Sequence, residues 1–148
     1  MDKDFVNDLM KRVEEGSEKQ NIHVPLSITQ NREPDVEVEY VLDKADGLAN
    51  SKPAQGMRCD FLYEGDDPLK DGTYSIAPEL LDKNGEVIID KTLPMPDKGK
   101  AYMWVDRGRN LEVVHKKRLK VGVTGFWVVG PYKLASVTIT KIIGLHKC

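Results

Sequence analysis

Apolar and polar positions alternate along this chain with two different periods. Over residues 3–15, Phe5, Val6, Leu9, Met10 and Val13 form a single stripe at helical spacing. Asp2 or Asp4 can accept from the first amides, Asp8 stands four residues before Arg12, and Gly16 offers a stop. So short a helix is marginal alone in water, so its stripe must dock. It covers the domain itself, or it makes Phe5, Leu9, Met10 and Val13 an interface for a partner or a second copy of the chain.

From residue 21 the period becomes two. Ile22, Val24, Leu26 and Ile28 alternate with polar neighbours, and Pro25 places that stretch at an edge. Val36–Leu42, Met57–Tyr63, Tyr74–Leu80 and Val87–Ile89 follow, and Asn84-Gly85 supplies the positive-φ residues of a tight hairpin between the last two. Ala101–Val105 and Leu111–His115 flank a second predicted hairpin loop, and Phe126–Val129 and Lys133–Ile143 flank a third at Gly130-Pro131-Tyr132. In the last strand Ala135, Val137 and Ile139 are predicted to face a core while Ser136, Thr138 and Thr140 face water. The pattern predicts a mainly β fold, an antiparallel small barrel or β-sandwich of about eight strands, with one N-terminal amphipathic α-helix. Residues 1–20 read as helix and linker, and 21–148 as a single β domain. Asp43–Gly56 and Glu64–Gly72 are polar, Gly/Pro-punctuated loops.

Composition adds what the pattern leaves open. A chain of 148 residues, 40% hydrophobic and 31% charged, can bury a core without disulfides or metal. Its cysteines, Cys59 and Cys148, have no metal spacing, and no apolar run is long enough to span a membrane. With no secretory h-region either, the expected location is the cytoplasm; origin in a virion or a mobile element fits as well.

Charge changes the picture more. Residues 1–97 hold 11 Lys+Arg against 22 Asp+Glu, whereas residues 98–148 hold 11 Lys+Arg against two acids, Asp106 and Glu112. Arg107 and Arg109 share one loop, Lys116, Lys117, Arg118 and Lys120 follow closely, and Lys133 adjoins Tyr132. Tyr102, Trp104, Phe126 and Trp127 are interleaved with them. Cations that neutralise phosphates, beside rings that accept unpaired bases, are what sequence-tolerant nucleic-acid modules use. The opposing expectation is that these cations face the acidic first half and the rings are core.

Arg118-Leu119-Lys120-Val121-Gly122, then Trp127-Val128-Val129-Gly130-Pro131, then Ala135–Ile142 form a run that is similar to one in the barrel following the GTPase domain of translation elongation factors. The similarity lies within residues 118–142 and consists of strand and turn positions; the nucleotide-binding half of that family has no counterpart in this chain. It implies a barrel over a sandwich, and a ribonucleoprotein over a carbohydrate as partner.

Catalytic signatures are missing from the sequence. Gly99-Lys100 lacks the earlier glycine of a phosphate loop, no serine stands in a Gly-x-Ser-x-Gly elbow, and His23, His115 and His146 are scattered. His146-x-Cys148 falls short of a zinc site, and Glu64, Asp66, Asp67 and Asp71 lack EF-hand spacing. The sequence therefore predicts no cofactor, no metal and no enzyme. Its expected function is a binding or assembly domain whose surface at Arg107, Arg109, Lys116, Lys117, Arg118, Lys120, Tyr132 and Lys133 meets nucleic acid or a ribonucleoprotein. The alternative is a carbohydrate-binding or coat-type β-sandwich, with Trp104, Tyr63 or Tyr132 as the sugar platform.

Overall fold

A computed structural model describes residues 21–45 and 53–147 of the chain. The predicted N-terminal helix, with Phe5, Leu9, Met10 and Val13, and the boundary at residue 20 lie outside the described residues. Strands β1 (Val36–Leu42), β2 (Cys59–Tyr63), β3 (Tyr74–Leu80), β4 (Lys98–Val105), β5 (Thr124–Val129) and β6 (Tyr132–Ile142) are all antiparallel to their neighbours. They close into a barrel in the order β1-β4-β3-β2-β5-β6. Of the two architectures the alternation allowed, closure selects the barrel, which leaves no sheet edge to protect.

The core follows from the pleat. Val36, Val38 and Tyr40 of β1, Phe61 and Tyr63 of β2, Ala101 and Met103 of β4, and Ala135, Val137 and Ile139 of β6 are all buried together. Ser136 is exposed and Thr138 and Thr140 are half-buried, as the alternation predicts. Closing a small barrel requires strands that bend, and β6 bends at two irregularities of register, one opposite Trp127/Val128 and one opposite Glu37/Val38. Gly125 is required by close approach: a Cβ there would lie 2.6 Å from the Leu62 carbonyl oxygen and would strike the Phe61 ring. Tyr40 and Trp127 stack inside, with ring centroids 5.6 Å apart.

Strand order also decides what becomes of the surface charge. Glu37 of β1 lies opposite Tyr102 of β4 on one side and Lys141 of β6 on the other. Glu39 likewise lies between Lys100 and Thr138. The acidic early strand is thus inserted between two late strands that carry lysines.

Three sequence expectations are corrected. Six strands are formed among the described residues rather than about eight. Ile22–Ile28 is not an edge strand: Ile22 makes a single bridge to Asp90, and Leu26–Thr29 turns into a short helix, α1, directly after Pro25. Proline has no amide to donate and its φ suits helix entry, so a residue read as an edge marker begins a helix instead.

Leu111–His115 is not the second arm of a hairpin but a π-helical turn, continued by α2 (Lys116–Arg118). Leu111, His115 and Leu119 recur every fourth residue and are all buried, which is a helical face. At the Asn84-Gly85 turn only Gly85 takes a positive φ, +81°. Its far arm contributes one bridge, Leu81 to Val87, and no barrel strand.

Candidate functional site

The helical segment 109–119 caps the barrel end formed by the start of β1, β3 and β5 and the close of β2, β4 and β6. Burying His115 within that end has electrostatic consequences. Its Nδ1 is hydrogen-bonded to the Tyr63 hydroxyl at 2.8 Å and its ring stacks on Tyr63, while Nε2 is buried without a partner. Desolvation pushes its pKa down to about 4, so the imidazole is neutral at physiological pH. Cys59 is similarly inert, its thiol pushed up to about 12 by burial and by Asp60.

The predicted cationic set is divided by the fold. Arg109, Lys117 and Lys120 are exposed on the cap, and none forms an ion pair among the described residues. Lys116 reaches back one turn to Glu112 at 2.7 Å. Arg118 grips Asp66 with two hydrogen bonds, of 2.7 and 3.0 Å, and lies 3.9 Å from the centre of the Tyr63 ring. Those bonds raise its pKa further.

Arg107 lies at the same barrel end but is turned to acceptors there rather than left open beside Arg109. Its Nη2 donates to Asp35 Oδ1 at 2.6 Å and to the Gly144 carbonyl at 2.9 Å, and its Nη1 donates to the Lys147 carbonyl. Tyr132 and Lys133 stand at the opposite end of the barrel, one length of β5 away, about 17 Å along the strand. The structure therefore keeps Arg109, Lys116, Lys117, Arg118 and Lys120 on the segment that caps one barrel end, commits Arg107 to Asp35 at that same end, and places Tyr132 and Lys133 at the other.

Rings expected as platforms are covered. Trp104 is 4% exposed and Trp127 fully buried, so neither offers an open face to a base or a sugar. Arg32 lies over Trp104 at 4.7 Å and Lys133 over Phe126 at 4.0 Å. Among the rings singled out Tyr132, half-exposed at the far hairpin, is the most open, with Tyr102 and Phe126 half-buried. Of the acids in the 64–71 loop, Asp71 accepts from the Asp67 amide and Asp67 from the Leu69 amide, while Asp66 holds Arg118 and Glu64 accepts from the Thr124 hydroxyl. No cluster of three or more metal-ligating side chains occurs among the described residues.

Two buried acids escaped the sequence reading. Asp35, fully buried, accepts from Arg32 and Arg107 on Oδ1 and from the Val105 amide on Oδ2. Its own carbonyl takes the amides of Ile143 and Leu145, tying β1 to the C-terminal turn. Glu79 accepts from His23 Nε2 at 2.7 Å, the Leu26 amide at 2.8 Å and Trp104 Nε1 at 3.1 Å. It fastens residues 23–26 across the outside of β3 and β4. An acid among apolar neighbours in a strand, as in Pro78-Glu79-Leu80, was the available signal.

No family model matches this chain, and no curated protein matches it either. The elongation-factor resemblance accordingly carries no further than the barrel, which the strand pairing establishes by itself.

Proposed function

We propose that this barrel is a non-enzymatic binding module whose helical cap contacts the phosphates of a nucleic acid, alone or in a ribonucleoprotein. One observation carries the reading. Arg109, Lys117 and Lys120 share one exposed cap without ion-pair partners among the described residues, whereas most other late cations lie against an acid. Charges left unmatched at one end produce a local positive potential although the chain as a whole carries −2. With both tryptophans buried, recognition rests on phosphate charge rather than base stacking, so binding is sequence-tolerant.

The test is a fluorescent single-stranded RNA or DNA oligomer titrated at several salt concentrations. Three phosphate contacts give a slope of log K against log salt of about −2. Reversing Arg109, Lys117 and Lys120 to Glu together abolishes binding while the protein stays folded. Absence of binding at low salt, or binding indifferent to the triple reversal, overturns the proposal.

A further inference from the structure

A cleft of about 460 Å³ opens between residues 26–32 and the outer wall of β3 and β4, within the size range of small-molecule sites. Its lining contains three guanidinium groups, Arg32, Arg58 and Arg107, against one carboxylate, Asp106. They come from three separate places in the chain: the lead into β1, the residue before β2 and the turn after β4. Early Arg32 and Arg58 belong to the half of the sequence whose charge is otherwise acidic.

The arginines are fixed unequally. Asp35 holds Arg32 Nη1 at 3.1 Å and Arg107 Nη2 at 2.6 Å from below, and being fully buried it acts as a strut rather than as a charge facing the cleft. The Arg32 guanidinium also lies over the Trp104 ring, 4.7 Å from its centre. Two guanidinium planes are thus oriented in advance, which lowers the entropy lost when a ligand engages them. Arg107 is part-exposed, with both hydrogens of Nη2 committed to Asp35 and Gly144 and one of Nη1 to the Lys147 carbonyl, so its fork is fixed in place at the edge of the cleft. Arg58 is exposed and makes no ion pair among the described residues.

Three guanidinium groups converging from different directions suit a tetrahedral oxyanion carrying two charges better than a planar carboxylate carrying one. The rest of the lining is of another kind. Leu26 and Ala77, beside the largely covered Trp104, give an apolar wall, with Gln30 and Ser75 as polar groups; Ile76 borders the cleft but is buried in the core. The space is far larger than a bare phosphate occupies.

We infer that this cleft is a binding site for a small phosphate monoester, its phosphoryl group held by Arg58 and Arg107 beside Arg32 and its compact apolar body laid against Leu26 and Ala77, next to Trp104. None of the cap cations Arg109, Lys117 and Lys120 lines the cleft, so the two readings are tested by different variants.

Phenyl phosphate is the probe, titrated into the full chain by calorimetry and by amide and indole NMR shifts, with benzoate as the carboxylate of the same ring. Phenyl phosphate should bind saturably, at least tenfold more tightly than benzoate, and shift the Trp104 indole resonance. Arg58→Gln removes an exposed side chain and leaves the fold intact; it should weaken phenyl phosphate at least tenfold. Arg107→Lys, which keeps a cation near Asp35, should weaken it similarly. Equal affinities for the two probes, no saturation, or an unaffected Arg58→Gln variant overturns the inference. So does a more than twofold loss in the Arg109/Lys117/Lys120 triple reversal, because that would place the phosphate on the cap.

Discussion

The outer face of β6-β1-β4 and the helical cap draw on the same supply of late-chain cations and dispose of them differently. On the sheet, Lys100 lies opposite Glu39 and Lys141 opposite Glu37, because β1 is threaded between the strands that carry them. On the cap, Arg118 reaches Asp66 and Lys116 reaches Glu112, but Arg109, Lys117 and Lys120 have no counterpart among the described residues. Segregation of charge along a sequence therefore does not by itself make a charged surface. Strand order can fold it away, and it persists only where the chain leaves the ladder and meets no acidic neighbour.

The sharpest way to break this comparison is at its most deeply matched point. Asp35→Ala leaves Arg32, Arg107 and the Val105 amide without their shared acceptor. Loss of one side of a buried pair costs roughly 3–5 kcal/mol, and the partial exposure of both arginines puts this case toward the lower figure. Urea denaturation should register it as a large fall in midpoint; a change under 1 kcal/mol would show that the strut does not carry the β1 junction.

Acidification probes the cap from beneath. In the unfolded chain His115 titrates near pH 6.5, whereas in the fold desolvation holds it down to about 4. Between those values the unfolded state binds a proton that the native state refuses, so stability falls as pH drops through this window and levels off below it. The loss amounts to about 3 kcal/mol. In His115→Asn this contribution is absent, and the difference between the two stability curves from pH 7 to pH 4 isolates it. Parallel curves would mean that His115 is protonated in place and the cap opens to water.

How much of this was legible depends on what each residue's neighbours are. β1, β5 and β6 were readable because Val36, Val38 and Tyr40, or Ala135, Val137 and Ile139, face one packed interior and alternate accordingly. Leu111–His115 defeated the same reasoning, since Leu111, Val113 and His115 satisfy a period of two as well as they satisfy a cap. The repeat from Leu111 through His115 to Leu119 needed a longer window. Arg107 stands out in the sequence as a cation but not as the partner of Asp35, which lies 72 residues away and meets it only through strand pairing. Arg32 and Arg58 were hidden by arithmetic, being minority charges in an acidic half.

Reversing single charges yields the smallest effects and separates the two regions most directly. Glu39→Lys sets like charges opposite one another across β1 and β4, and exposed cross-strand pairs of this kind shift stability by a few tenths to about 1 kcal/mol. Adding Lys100→Glu in the same chain restores the opposite signs and should recover most of the loss, giving a coupling energy in a double-mutant cycle. Lys117→Glu has no ion pair to break, so its stability should stay within about 0.5 kcal/mol of the parent while oligomer affinity drops and the salt slope becomes shallower. If Lys117→Glu instead destabilised the fold as much as Glu39→Lys does, the cap cations would be serving the acids of the 64–71 loop collectively. The distinction between a matched sheet and an unmatched cap would then vanish, and with it the reason to expect a partner there.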